Sequence, residues 1–337
     1  MKKIFLLILL FTSHTHAGPI RDLIKDRLLK KLQTEPTPTV SVIENGKMTK
    51  PGTFTLSLES NGLERYFKIH IPKSYNPTVA TTILFSFHGG GGNMEIQSTE
   101  EYYHQISNSE LRGHVVVFPN GTNQFKSGKL STWNAGECCS YARDNKIDDV
   151  TFIKQVIARV KELINVDGKR IFATGMSNGG MMSYRLACEM PEVFRGIAAV
   201  AGTDNTILCN PKAPISILHI HAKDDDHVLF EGGAGKKSFK GESRVPEYTS
   251  VPKTIKKWVE LNGCHKIPKN TFMKIGVYCE SYSQCKNDVK VELCVTDKGG
   301  HSWPGGKNPR FMAGTPFQEI SANERMWHFF DSLELPH

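Results

Sequence analysis

A serine stands between glycines where an apolar, strand-like run gives way to a helix-like one: residues 170 to 184 read "RIFATGMSNGGMMSY". Ile171, Phe172 and Ala173 have the character of a short buried strand, and Met181, Met182 and Tyr184 continue as a helical segment. The turn between them is therefore abrupt, with Ser177 at its apex. A turn this tight presses its flanking residues against neighbouring backbone, where a Cβ would clash, which explains glycine at 175 and 179. A chain built around such a turn needs a sheet whose strands feed directly into helices.

The rest of the sequence supplies one. "TFTLSLES" and "RYFKIHIP" alternate as an antiparallel pair joined by the turn-forming "NGLE". Buried strands are expected at "TILFSFHGG", "HVVVFPNG", "GIAAVAG", "ISILHIHA" and "VKVELCVT", and helices near residues 149 to 165, 252 to 263 and 321 to 333. Strands separated by helix-length segments imply a mostly parallel central sheet flanked by helices, an α/β fold. With 337 residues there is length for one large domain.

The first 17 residues, "MKKIFLLILLFTSHTHA", combine Lys2 and Lys3, an apolar run from Ile4 to Phe11 and a polar stretch ending in Ala17, the pattern of a secretory signal. The run is too short to span a bilayer, so no transmembrane anchor is expected. Residues 18–40 follow as an amphipathic helix, apolar at Ile20, Leu23, Ile24, Leu28, Leu29 and Leu32, and a proline-punctuated linker; residues 41–337 form the main domain. Loss of Lys2 and Lys3 from a chain of formal charge +8 leaves 8 − 2 = +6. The lysines are dispersed and no arginine-rich stripe is interleaved with aromatics, which argues against nucleic acid as a partner. A soluble, secreted monomer is expected.

Eight cysteines in an exported chain favour disulfides over metal ligation, and no Cys-x-x-Cys pair occurs. Eight cysteines admit about 105 pairings. The expected ones are Cys264 with Cys294, Cys279 with Cys285, and Cys138 and Cys139 each with Cys188 or Cys209.

Gly175-x-Ser177-x-Gly179 between a strand and a helix is the context of a nucleophile elbow. A serine hydroxyl needs a base to become nucleophilic, and the base needs a carboxylate to hold its tautomer. In folds carrying this elbow the acid and then the base follow on loops beyond later strands. "ISILHIHA" runs into "KDDDHV" and "VKVELCVT" into "DKGGHSWPGG". His301 is thus the candidate base, and the acid lies among Asp224, Asp225 and Asp226, with Asp225 favoured. The oxyanion that forms on attack needs backbone donors. "FHGGGGN" after an early strand offers Gly90 N–H, aided by Gly91, and the elbow offers Asn178 N–H. The Lys-Ser/Thr that would complete a phosphate-binding loop is missing after these glycines. Asp148 and Asp149 are expected to cap the following helix.

"HGGGGN", "WNAGECC" followed by "IDDVTFI", "RIFATGMSNGGMMSYRLACE", "HIHAKDDDHVLFEGG" and "GGHSWPGG" occur in the order seen in a secreted esterase family. Across about residues 55 to 333 the chain resembles the feruloyl esterases and poly(3-hydroxybutyrate) depolymerase-like proteins of the α/β-hydrolase superfamily. The family's His-Gly-Thr-x-Asp-x-x-Val stretch, laid on "HIHAKDDDHV", makes Asp225 the acid, with Val228 three residues on. The departures are Ala222 and Lys223 in place of Gly-Thr and a longer polar insert after Gly233. The resemblance implies a serine esterase with the triad Ser177, Asp225 and His301, no cofactor and no metal. It also implies aromatic cleft positions at Trp133 and Trp303, and a small or polymeric ester substrate. Hydroxycinnamoyl esters of plant polysaccharides are the expected substrate, with hydroxybutyrate oligomers the alternative within enzymes and an inactive surface-binding protein the alternative outside them.

Overall fold

A computed structural model of the protein describes residues 43–44, 46–124, 128–238, 247–309 and 314–333. The expected signal, amphipathic helix and linker lie outside the described residues. In chain order the elements are β1 (Ile43–Glu44), β2 (Lys47–Met48), β3 (Gly52–Ser60), β4 (Leu63–Ile71), β5 (Thr81–Phe87), α1 (Met94–Gln97), α2 (Glu100–Tyr103), α3 (Gln105–Arg112), β6 (Val115–Pro119) and α4 (Ser140–Asp144). They continue with α5 (Asp149–Leu163), β7 (Val166–Met176), α6 (Asn178–Glu189), β8 (Gly196–Val200), β9 (Ser216–Ala222), α7 (Val251–Leu261), β10 (Lys269–Lys274), β11 (Val277–Tyr282), β12 (Val291–Thr296) and α8 (Ala322–Asp331).

Ten strands form one sheet in the order β10-β11-β12-β9-β8-β7-β5-β6-β4-β3. The six from β12 to β6 run parallel, and both edges turn antiparallel. Burial follows this arrangement. β3 at the edge alternates between half-buried and exposed residues, whereas β6, β8, β9 and β12 are buried throughout. A strand covered by helices on both faces has no solvent face to alternate toward. On one face Leu84, Phe172 and Leu218 pack with Trp327, Phe329 and Phe330 of α8, and the Phe172 and Phe330 rings stack at 4.2 Å. The opposite face receives α6, which packs on β7 and β8. With this topology the molecule has the α/β-hydrolase fold.

Helix starts follow local chemistry. The Asp148 carboxylate accepts from Thr151 N at 2.9 Å, Ser250 Oγ from Lys253 N at 3.2 Å and Ser321 Oγ from Glu324 N at 3.3 Å, each satisfying a first-turn amide. Asp148 is thus the cap expected at α5. Asp149 is not: it is fully buried, its Oδ1 2.7 Å from Arg65 Nη2 and its Oδ2 accepting from Asn134 N at 2.8 Å.

The hairpin of β10 and β11 was not foreseen in the sequence, because its outer strand is almost wholly exposed and lacks an apolar alternation. The same hairpin overturns the expected cysteine pairing. Cys279 faces Cys294 in the register of β11 with β12, and those two are bonded. Cys264 therefore bonds Cys285, Cys188 bonds Cys209, and Cys138 bonds its neighbour Cys139.

Candidate active site

β5 is flanked by β6 on one side and β7 on the other, so the chain leaves it in one direction and returns on the opposite side. In an open α/β sheet the crevice beyond the carboxyl ends of such strands is the natural ligand site. Both the glycine-rich loop after β5 and the turn after β7 open there.

Ser177 lies between β7 and α6 with φ +57° and ψ −124°, a conformation that costs a non-glycine residue about 1–3 kcal/mol. The surroundings hold it in place: Ser177 N donates to Val200 O at 2.8 Å, and its carbonyl accepts from Met181 N at 2.9 Å. The flanking glycines are required by packing. A Cβ on Gly175 would stand 2.5 Å from the Gly179 carbonyl carbon and 2.7 Å from Phe87 O, and one on Gly179 would collide with Phe87 O.

The glycine-rich loop passes directly over this turn. Cβ atoms built on Gly89 and Gly90 would stand 3.5 Å from Ser177 Cβ and 3.6 Å from Asn178 Cβ, so the loop backbone lies directly beside the turn. Asn178 opens α6, and a first-turn amide has no helical acceptor. Gly91 N–H, by contrast, donates to Ser131 O at 2.9 Å and is committed to holding the loop. His88 anchors the loop from below. Its Nε2 accepts from Gly121 N at 2.9 Å, so Nδ1 carries the hydrogen and donates to Gly89 O at 2.8 Å. Burial lowers the His88 pKa to about 4, against a smaller upward pull from the Gly89 bond, and the ring stays neutral.

The three consecutive aspartates have three different partners. Asp224 Oδ1 accepts from Gly300 N at 2.7 Å and ties down the loop that carries His301. Asp225 is buried, and its Oδ2 lies 2.8 Å from His301 Nδ1. Its Oδ1 accepts from His227 N at 2.8 Å and Val228 N at 3.0 Å. Asp226 Oδ1 stands 2.7 Å from His227 Nδ1, with Lys237 Nζ 2.7 Å from its other oxygen. Burial alone would raise the Asp225 pKa, but the charge of His301 and hydrogen bonds from His221 and His301 outweigh it and hold the carboxyl far below its usual range.

His227 was not singled out in the sequence. Its ring stacks on that of His301 with centroids 4.5 Å apart and planes 17° from parallel. Burial, and the charge of His301, depress its pKa against the opposing pull of Asp226. Donor atoms of Asp225, His227 and His301 lie within 4.8 Å of one another, yet both Asp225 oxygens are already engaged by N–H donors, so this is a hydrogen-bonded constellation with carboxylate–imidazole chemistry.

The two tryptophans expected at the cleft are enclosed in the structure. Trp133 packs edge-on against Phe87 at 5.3 Å and beside His88 at 4.9 Å, and its Nε1 donates to His88 O at 3.0 Å. Its backbone clasps the Asn178 side chain from both sides: Trp133 N donates to Asn178 Oδ1 at 2.7 Å and Asn178 Nδ2 donates to Trp133 O at 3.0 Å. Trp303 is buried against Tyr103, ring centroids 5.5 Å apart, in the core under α8. Both brace the site from inside and expose no flat wall. A cavity of about 600 Å³ is lined by Leu63, Tyr66, Met94, Asn120, Thr122 and Tyr141 among others and by none of Ser177, Asp225 and His301.

Residues 59–262 match the model of the Esterase family, described as "Putative esterase". The chain is 31 % identical over 245 residues to feruloyl esterase B of Piromyces equi, covering 71 % of this chain and 43 % of that protein. It is 29 % identical over 211 residues to a probable feruloyl esterase C of Aspergillus clavatus, covering 61 % of this chain and 64 % of the relative. The chain thus spans less than two thirds of either relative. Among solved structures, acetyl xylan esterase from Aspergillus awamori superposes with a TM-score of 0.54 at 13 % identity, over 82 % of this chain and 99 % of that one, a likeness of fold.

Proposed function

Since this chain belongs to the Esterase family, we propose that it is a carboxylic ester hydrolase acting through Ser177, His301 and Asp225. The observation that carries the reading is the 2.8 Å contact of His301 Nδ1 with an ionised, buried Asp225, on loops beyond the same sheet end as the strained serine. His301 Nε2 takes the hydroxyl proton as Ser177 Oγ attacks the ester carbonyl, and the proton passes to the departing alkoxide, which leaves as alcohol. Water, deprotonated by the same nitrogen, then attacks the acyl-serine, and the carboxylic acid departs as Oγ recovers its proton. Asp225 remains ionised and fixes the imidazole so that Nδ1 carries hydrogen and Nε2 is free to accept. Gly90 N–H and Asn178 N–H receive the oxyanion, each such donor being worth about 3 kcal/mol.

The favoured substrates are hydroxycinnamoyl esters of plant polysaccharides, a choice supported by the relatives named feruloyl esterases. Export by the signal at residues 1–17 is part of the same reading. It is supported by the fully disulfide-bonded cysteines, and among the described residues no helix is long and apolar enough to cross a membrane. Purified protein assayed on methyl ferulate, hydroxybutyrate oligomers and acetylated xylan, with Ser177→Ala as control, tests the proposal. Ferulate release that vanishes in the variant is expected. Activity confined to the oligomers overturns the substrate, and equal activity of parent and variant overturns the mechanism.

A further inference from the structure

Behind Asp225 a file of buried polar side chains runs into the sheet. His221 Nε2, on β9, lies 2.8 Å from Val228 O and 3.3 Å from Asp225 Oδ2. Its Nδ1 is 3.1 Å from Nε2 of His219, two residues back on the same face of the strand, and the two rings stack 13° from parallel. His219 Nδ1 in turn is 2.9 Å from the Tyr184 hydroxyl of α6. All three side chains are buried, and nothing in ester hydrolysis by the three residues above uses them.

The hydrogen positions in this file follow from its ends. A carbonyl oxygen can only accept, so His221 Nε2 carries hydrogen. With one hydrogen on each ring, His221 Nδ1 accepts and His219 Nε2 donates to it. His219 Nδ1 is left as an acceptor, and the hydroxyl of Tyr184 donates to it. Neutrality of His219 has a physical cause: burial, reinforced by neighbouring His221, depresses its pKa well below the usual histidine value. Every hydrogen in the file therefore points from Tyr184 toward Asp225.

We infer that His221, backed by His219 and Tyr184, is a positioning unit for Asp225; the inference rests on the reading of Asp225 as the acid of the triad. His221 acts in two ways. It fastens the Asp225–Val228 turn through Val228 O, while Val228 N closes the turn on Asp225 Oδ1. It also turns the positive edge of an N–H toward Oδ2, the oxygen that His301 uses, and so limits how strongly Asp225 stabilises a protonated His301. Tyr184 and His219 keep His221 in the one tautomer that serves both contacts. The other charged or titratable groups around His301 are His227 with Asp226 and Lys237, and Asp224 on Gly300 N; substitutions in the file leave them in place.

The test is the pH dependence of kcat and KM for His221→Leu, His221→Gln and Tyr184→Phe, alongside Asp225→Asn. Without the N–H at Oδ2, Asp225 holds the proton of His301 more tightly, so the acid limb of kcat/KM in His221→Leu moves up by roughly 0.5–1 pH unit. Its kcat falls roughly 10- to 100-fold while KM stays within about twofold. Glutamine can return an amide N–H to the Nε2 position, and its limb lies within about 0.2 pH unit of the parent's. Tyr184→Phe, which loses one oxygen atom, moves the limb in the same direction by less and decides the matter if His221→Leu does not fold. An unmoved limb in both variants, or glutamine as damaging as leucine with activity following only the folded fraction by circular dichroism, overturns the inference. If Asp225→Asn is as active as the parent, the triad reading falls and the positioning role falls with it. If Asp225→Asn is inactive and the limb is unmoved in the file variants, the positioning role alone is overturned.

Discussion

Replacing Asp149 with asparagine keeps the shape of a buried side chain and removes its charge and one of its two acceptor oxygens. Arg65 and Asp149 are both almost inaccessible, with Nη2 and Oδ1 2.7 Å apart. The guanidinium also donates to Asn120 O at 3.0 Å and lies 3.9 Å above the centroid of the Phe152 ring, so it has no route to water once its partner is neutral. Removing one member of such a pair costs about 3–5 kcal/mol, because the other charge is left buried and uncompensated. Asparagine keeps one acceptor oxygen for the Asn134 amide, and its NH2 then faces the guanidinium donor to donor, which adds to the loss. At roughly 2 °C per kcal/mol for a domain of this size, Tm falls by about 6–10 °C in a thermal scan, with a matching loss in urea unfolding. Two comparisons sharpen the test. Glu162→Gln, which breaks an exposed pair with Arg159, costs about 0.5 kcal/mol or less. Arg65→Met combined with Asp149→Leu, which removes both charges, recovers most of the loss. A loss below about 1 kcal/mol in Asp149→Asn, or a double variant worse than the single one, would refute the reasoning from burial.

Acid sensitivity should appear well above the usual carboxylate range. Burial lowers His88 to about 4 and His114 to about 3, so the unfolded chain takes up protons on both below pH 6.5 while the folded chain does not. Stability therefore falls as pH falls, with a slope approaching about 1.4 kcal/mol per unit for each ring and a loss of about 3 kcal/mol for the two between pH 6.5 and 5; a urea midpoint unchanged over that interval contradicts it. Trp133→Phe removes the indole donor to His88 O while keeping most of the ring. A stability loss of about 1–3 kcal/mol is expected from the orphaned carbonyl, with kcat reduced and KM little changed, and a fully active variant of parental stability would deny Trp133 its bracing role.

Much of the central sheet is legible in the sequence because its strands are buried on both faces, and a continuous apolar run such as "GIAAV" leaves no alternative to the interior. Ser177 stands out for a related reason, because Gly175 and Gly179 sit where the backbone must pass closely, and His301 stands out because it follows Gly299 and Gly300, which turn the chain at positive φ. What the sequence hides is register. Cys279 and Cys294 are brought together by the pairing of β11 with β12, and nothing in their spacing reveals which cysteine will lie opposite. Asp148 and Asp149 look alike as helix-starting acids, and only the position of Arg65, 84 residues earlier, makes one a cap and the other a buried ion. Trp133 and Trp303 share aromatic character with cleft walls and with cores, and the fold encloses both. The histidines of β9 did carry a readable sign: two residues apart in an otherwise apolar strand, they had to share one face and find polar partners.

The central claim is that Ser177 is a nucleophile because His301 and Asp225 make it one, and covalent labelling reads that chemistry directly. A fluorophosphonate followed by intact-mass and peptide mapping should give one adduct, on Ser177, absent from Ser177→Ala and formed far more slowly in His301→Ala and Asp225→Asn. A protein that hydrolyses esters while leaving Ser177 unlabelled, or labels it equally fast without His301, would contradict the account.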